Sequence, residues 1–197
     1  MSDTHLFSPW VPLPGVFGSH ETGEPFERCI ECDCFLLEPG TEYIVEKAFR
    51  CYRDFSISDT VFEYAMCMEC AEEMTNSLSR ESLGRLENYF SQNVNLRERL
   101  SWATQDRPSD PGQWLSSCAI KGTSVEDLSE YQIVGHCTGD QLVLSIFPYL
   151  IGGEALDEVG VLLSNKTLDI LDDFGGRHFG LPPEFSDLPR TRFMPVL

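Results

Sequence analysis

Two Cys-x-x-Cys pairs constrain the fold of this chain more than any other feature of its sequence. The first pair is Cys29-Ile-Glu-Cys32 and the second is Cys67-Met-Glu-Cys70. Each pair supplies two sulfur ligands from one tight turn, and a structural zinc ion takes four ligands in a tetrahedron. The pattern therefore predicts a four-cysteine zinc site formed by Cys29, Cys32, Cys67 and Cys70.

Two further cysteines, Cys34 and Cys51, lie between the pairs. Either could replace one of the four ligands, although neither has a partner at the C-x-x-C spacing. Iron in a rubredoxin-like site is an alternative metal, but zinc is the usual occupant of a closed four-thiolate site.

The segment between the pairs has the composition of a β-hairpin. Residues 35–37 and 42–50 are predicted strands, and Pro39-Gly40 is suited to the turn between them. Residues 69–79 have helical composition, with the acidic residues Glu72 and Glu73 early in the helix. The second cysteine pair is thus expected to join a strand to a helix.

This order of knuckle, hairpin and helix resembles the treble-clef zinc finger over residues 29–79. The resemblance implies a fold and a metal but no particular activity, because this finger occurs in many unrelated proteins. The chain departs from the usual pattern at Asp33, where a glycine commonly follows the first pair. It also has no histidine within residues 29–79, which argues against the treble-clef nucleases and their catalytic histidines.

A site closed by four thiolates has no open position for water or substrate, whereas catalytic zinc keeps one. The predicted zinc is therefore structural, and its main effect is expected on stability.

The remainder of the chain divides by composition. Residues 1–25 are rich in proline and are expected to form an extended arm. Residues 26–104 comprise the zinc module and a long helix over residues 79–102, with a break near Ser79–Ser82. Residues 105–120 are a linker, and residues 121–197 form a small α+β domain. The fold class is α+β, a treble-clef-like module followed by this smaller part.

Within the second part, a capping box at Thr123–Glu126 predicts a short helix through Glu130. Residues 131–137 and 141–147 are predicted to form a hairpin. Two helices follow, over residues 154–163 and 164–174, the second capped by Ser164 and stopped by Gly175-Gly176. No internal repeat is visible in the sequence.

Charge limits the choice of partner. The chain has 32 Asp and Glu against 14 Lys and Arg, a net charge of -18. Such a surface repels nucleic acid and anionic lipid, so basic proteins are the expected partners. A small basic group, Lys47, Arg50 and Arg53, could contact an anion or a partner, or could be neutralised by acidic residues beside it.

The sequence lacks a secretory leader and an apolar run long enough for a membrane span. A soluble cytoplasmic protein with reduced thiols is expected.

Catalytic patterns are weak. Cys137 and His178 could form a nucleophile and base, while His136 should face away from Cys137 because neighbours in a strand alternate. Elimination favours a non-enzymatic, zinc-stabilised adaptor that contacts another protein. The alternatives are a redox-sensing zinc–thiolate protein and a nucleic-acid-associated regulator that uses the basic group.

Overall fold

The computed structural model describes residues 10–52, 57–103 and 110–180. These residues form an α+β structure in which helices pack on one antiparallel sheet. Strands β1 to β6 span Trp10–Pro12, Glu42–Tyr52, Ile57–Cys67, Glu130–Thr138, Gln141–Val143 and Tyr149–Gly152. Helices α1 to α6 span Met68–Ser77, Arg80–Asn93, Leu96–Ala103, Pro111–Trp114, Gly153–Leu162 and Asn165–Phe179. No helix of this described part is both long and apolar enough to cross a membrane.

The sheet has the order β1-β5-β4-β2-β3, and β6 also pairs with β4. Its centre is the antiparallel pair of β2 and β4, which runs from Glu42 opposite Thr138 to Arg50 opposite Glu130. The parts of the chain before and after the predicted linker therefore share one sheet. The linker itself lies partly outside the described residues, and a division into domains remains a prediction.

The two faces of the sheet are covered by different parts of the chain. On one face, Tyr64 of β3 contacts Phe174 of α6 with ring centroids 5.5 Å apart. On the other face, Phe17 packs so closely on Gly135 that a Cβ there would meet the ring at 2.7 Å. Burial on both faces explains why the strands at the centre carry so many apolar side chains.

Several predicted elements are confirmed. The helix after Cys67 and the hairpin of β4 and β5 are present. The chain breaks at Ser79, whose side chain accepts a hydrogen bond from the Ser82 N–H at the start of α2. Ser164 caps α6 in the same way, through the Thr167 N–H.

Other predictions are wrong. The hairpin between the cysteine pairs is formed by β2 and β3, whereas residues 35–37 contribute only one bridge, between Phe35 and Arg28. The long helix is divided into α2 and α3, because Asn95 accepts a hydrogen bond from the Glu98 N–H and starts a new helix.

The predicted capping box at Thr123–Glu126 and its helix are not formed: a single 3₁₀ turn spans Val125–Asp127, its N-cap Ser124 makes no side-chain capping hydrogen bond, and the chain then enters β4. Helix α6 continues through Gly175-Gly176 to Phe179. Its last turns are held by packing, since Phe179 contacts Phe62 of β3 with ring centroids 5.5 Å apart. Tertiary contact thus overrides the weak helix propensity of the two glycines.

Candidate metal centre

The first cysteine pair lies in a tight turn between residues 27 and 36. The Cys29 N–H donates to the Cys34 carbonyl at 3.0 Å, and the Asp33 N–H donates to the Cys29 carbonyl at 3.0 Å. Asp33 has φ 59, a left-handed conformation that aspartate adopts more readily than most side chains. Asp33 therefore adopts the conformation for which the predicted knuckle would usually have a glycine.

The second pair joins β3 to α1. Cys67 is the last residue of β3, and Cys70 lies in the first turn of α1. The Ile30 N–H donates to the Ala65 carbonyl at 2.9 Å, which holds the turn against β3. The Cys67 N–H points at the Cys29 sulfur, 3.4 Å away. A backbone donor of this kind stabilises a thiolate.

The sulfur atoms converge. The Sγ atoms of Cys29, Cys32, Cys34 and Cys67 all lie within 4.8 Å of one another. Those of Cys32 and Cys67 are 3.7 Å apart. A tetrahedron with zinc–sulfur bonds of about 2.3 Å has edges of roughly 3.8 Å, so this separation suits two ligands of one ion.

Cys70 faces the same group of thiols. Burial raises the pKa of its thiol, and hydrogen bonds with Cys67 and Cys32 act in the same direction. Five cysteine side chains therefore face one position, and a tetrahedral ion bound there would use only four of them as ligands. The convergence of Cys34 was not predicted as the main arrangement, although its position two residues after Cys32 in a turn is a usable signal.

The thiols differ in acidity. The backbone N–H of Cys34 is the main cause that lowers the pKa of Cys32 to about 7. Burial raises the pKa of Cys34 to about 12, and burial also raises the pKa of Cys67. The raised pKa values of Cys34, Cys67 and Cys70 favour the protonated thiol at neutral pH. A divalent ion would displace those protons, so its binding is expected to weaken as the pH falls.

Cys51 is remote from the cluster. It lies eight residues along β2 from Tyr43, which pairs with Cys67. At about 3.3 Å per residue, this places Cys51 roughly 26 Å from the cysteine cluster.

Helix α6 is attached to the turn that carries Cys29 and Cys32 through Glu31, which sequence analysis overlooked. Arg177 holds both oxygens of the Glu31 carboxylate, at 2.9 and 3.2 Å. His178 Nε2 lies 3.0 Å from Oε1 of the same carboxylate. No local pattern could have indicated this contact, because the partners are far apart in the sequence.

The structure does not bring His178 and Cys137 together. His178 contacts Glu31 and the ring of Phe174, 4.7 Å away between centroids. Cys137 is buried beside Tyr43, and its pKa is raised to about 12 by burial. His136 instead approaches Glu42, with Nε2 3.4 Å from the carboxylate.

The basic group of Lys47, Arg50 and Arg53 is not a continuous surface. Lys47 is buried; its ammonium donates to the Gly18 carbonyl at 2.5 Å and pairs with Glu63 at 2.8 Å. Arg50 lies 4.0 Å from Glu130, and Arg53 lies outside the described residues. The contact of this group with an anion or partner remains a prediction.

In comparisons with protein-family models, with curated proteins and with solved structures, nothing matches this chain. What the site does has to follow from its own geometry.

Proposed function

We propose that the chain binds one structural zinc ion through Cys29, Cys32, Cys67 and Cys70, and that this ion closes a treble-clef-like module. The observation that carries the proposal is the convergence of the Cys29, Cys32 and Cys34 thiols of the knuckle with that of Cys67 at the end of β3. Cys70, in the first turn of α1, joins them through hydrogen bonds with Cys67 and Cys32. Closely spaced thiols are costly to bury without a cation, because their lone pairs and developing charges face one another.

The C-x-x-C spacing favours Cys70 as the fourth ligand. Cys34 competes for this place, because its sulfur belongs to the group within 4.8 Å. In either arrangement four thiolates surround the ion and leave no position for substrate, which supports a structural role.

Metal analysis of single Cys→Ser variants tests this proposal. Wild-type protein prepared under reducing conditions is expected to carry one zinc ion per chain. The C29S, C32S, C67S and C70S variants should lose it or bind it far more weakly, while C34S keeps it. The variant C51S is the matched control, since Cys51 lies far along β2. Metal loss in C34S with retention in C70S would show that Cys34, rather than Cys70, is the fourth ligand. A metal-free wild type would refute the site.

We further propose that the folded chain binds another protein. A cleft of about 400 Å³ lies between α1 and the sheet, with a mainly apolar lining that includes Ile44, Ala71 and Phe147. Glu72 of α1 lies at the same cleft. An apolar segment with a positive charge would suit both this lining and the net charge of -18.

Site-specific crosslinking tests the binding role. A photoreactive residue at Thr75, which lines the cleft, should capture a discrete partner in cells. The same residue at Val161, which is 82% exposed on α5, serves as the control. Equal capture at both positions, or none at Thr75, would contradict a binding role for this cleft.

A second function is favoured by the surplus thiol. With five cysteines around one ion, a peroxide can oxidise two thiolates to a disulfide and is itself reduced to water, while the zinc ion is released. Cys32 is the exposed member of the cluster. If the chain senses oxidants, mild peroxide should release zinc and a thiol reductant should permit rebinding; a site that keeps its zinc would exclude this role.

A further inference from the structure

The turn at residues 116–125 reproduces the metal-binding knuckle. In the knuckle, the backbone hydrogen bonds are Cys29 N to Cys34 O, Asp33 N to Cys29 O and Leu36 N to Glu27 O. In the later turn, they are Cys118 N to Thr123 O, Gly122 N to Cys118 O and Val125 N to Ser116 O. A single bridge closes each turn, between Arg28 and Phe35 and between Ser117 and Ser124.

The correspondence extends to backbone conformation and to sulfur. Gly122 has φ 70 where Asp33 has φ 59. The Ala119 N–H donates to the Leu150 carbonyl of β6 at 2.8 Å, as Ile30 does to Ala65 of β3. The Gly152 N–H points at the Cys118 sulfur at 3.3 Å, as the Cys67 N–H points at Cys29.

The helices that follow also correspond. Helix α1 follows Cys67 directly and α5 follows Gly152 directly, and each has 10 residues. The C-cap residue of each is a leucine, Leu78 or Leu163, and the next residue is a serine that caps a longer helix, Ser79 for α2 and Ser164 for α6.

The two sets meet around an approximate twofold axis. The Ser79 N–H donates to Thr167 Oγ1 at 3.0 Å, and reciprocally the Ser164 N–H donates to Ser82 Oγ at 2.9 Å. The central strands β2 and β4 pair antiparallel over their lengths, which is the relation that a twofold axis requires of equivalent strands.

We infer that residues 116–179 are a second copy of the module of residues 27–93, and that this copy has lost its metal site. The four predicted ligands correspond to Cys118, Lys121, Gly152 and Ala155, so a single thiol is retained. These four residues line one cavity of about 390 Å³. This cavity of the second copy corresponds in position to the proposed metal site of the first copy.

In the second copy, ion pairs replace the metal link between knuckle and helix. Lys121 stands at the position of Cys32, and its ammonium lies 2.5 Å from Glu158 and 3.9 Å from Glu154 of α5. Hydrogen bonding to Glu158 raises the pKa of Lys121. The Cys118 sulfur accepts hydrogen bonds from the N–H groups of Gly152 and Lys121. The knuckle of the second copy is therefore held without an ion.

Restoring the ligands tests this inference. The variant K121C/G152C/A155C should bind one more zinc or cobalt ion than the wild type, with the strong visible absorption of tetrahedral thiolate-bound cobalt. A Cβ at Gly152 would meet Leu128 Cδ2 at 2.7 Å, so L128A is added to provide space. The matched control is K121S/G152S/A155S with L128A, which has similar volume but no added thiols and should bind no extra ion.

A second variant, K121C/A155C, leaves Gly152 unchanged and supplies three thiolates together with Cys118. It should take up one additional cobalt ion with weaker affinity. Circular dichroism shows which variants keep the native fold. If folded K121C/A155C and the folded triple variant both bind no more metal than the wild type, the inferred correspondence is overturned.

The inference of a lost metal site rests on the zinc site proposed for the first copy. The zinc site and the repeat are nevertheless refuted by different results. A wild type without metal and a triple variant with one ion would refute the first site and uphold the repeat. A wild type with one ion, together with folded K121C/A155C and triple variants that also carry only one ion, would uphold the first site and refute the repeat.

Discussion

The serine caps at the twofold axis give the most direct quantitative prediction. Ser79 caps α2 and Ser164 caps α6, and the hydroxyl of Ser164 donates to that of Ser79 at 2.8 Å. Replacing a serine cap with alanine costs about 0.5–2 kcal/mol. In S79A the Ser164 hydroxyl also loses its 2.8 Å hydrogen bond and keeps only the longer contacts with Ser82 and Thr167, at 3.3 and 3.4 Å. The loss of one such bond adds about 0.5–1.5 kcal/mol. We therefore expect S79A and S164A each to lower the free energy of unfolding by about 2 kcal/mol.

The pair should also be coupled. Because the two hydroxyls share a hydrogen bond, the double variant should cost about 1 kcal/mol less than the sum of the single variants. Urea denaturation followed by circular dichroism, with zinc held constant, measures all three values. The control is S91A, since the exposed Ser91 hydroxyl bonds only to its own helix at Asn88. Costs below about 0.5 kcal/mol, or strict additivity, would show that the two helix ends do not support each other.

The remaining predictions concern the metal, the turn, a buried ion pair and pH. Removal of zinc by a chelator should lower the melting temperature strongly, as structural zinc contributes about 10–16 kcal/mol of apparent binding energy in small fingers. Replacement of Asp33 by valine should cost about 1–2 kcal/mol, because a β-branched side chain disfavours φ 59; D33G should cost little. The variant K47M should cost about 2–3 kcal/mol: it removes the buried cation beside Glu63, but this carboxylate is partly exposed and keeps hydrogen bonds from Ser19 and His20, so the cost stays below that of breaking a fully buried pair. The raised pKa of Cys137, about 12, stabilises the fold below the pKa of an unfolded thiol, and this contribution should disappear as the pH rises from about 9 to 12.

Each of these predictions has a matched comparison. Chelation is compared with re-addition of zinc, and an unchanged melting temperature would exclude a structural role. Equal melting temperatures of D33V and D33G would contradict a strained turn. K47M is compared with a change at Arg50, whose guanidinium is 4.0 Å from Glu130, and equal small costs would show that Lys47 is not buried as described. C137A should flatten the loss of stability above pH 9, and an unchanged pH profile would refute the role of this thiol.

Local rules were sufficient for much of the first half of the chain. The spacing of the cysteines predicted that Cys29, Cys32 and Cys67 would be brought together, because each pair lies within one turn. The sulfurs within 4.8 Å of one another also include that of Cys34, and the set of four ligands remains a prediction. Ser79 and Ser164 were recognisable as caps, since a serine before a helical pattern satisfies the first free N–H groups. By contrast, the strand partner of β2 was predicted incorrectly, because the Pro39-Gly40 signal fits a turn whichever strands it connects.

Long-range relations were beyond these rules. Gly175-Gly176 should stop a helix by propensity, but Phe179 packs on Phe62 and extends α6. The second copy of the module escaped detection because its ligands, apart from Cys118, have been replaced by Lys121, Gly152 and Ala155. What it retains is a pattern of backbone hydrogen bonds and left-handed φ values, which different residues can support: Asp33 and Gly122 occupy equivalent positions.

The pairing of β2 with β4 means that each half of the chain covers the open strand edge of the other. Either half alone would present a row of unpaired N–H and carbonyl groups along its first long strand, and such an edge readily recruits another strand. Because both halves belong to one polypeptide, each β2 edge has one β4 edge of the same chain to pair with. A half that lacks a cysteine cluster is therefore held in register by its pairing with the half that has one.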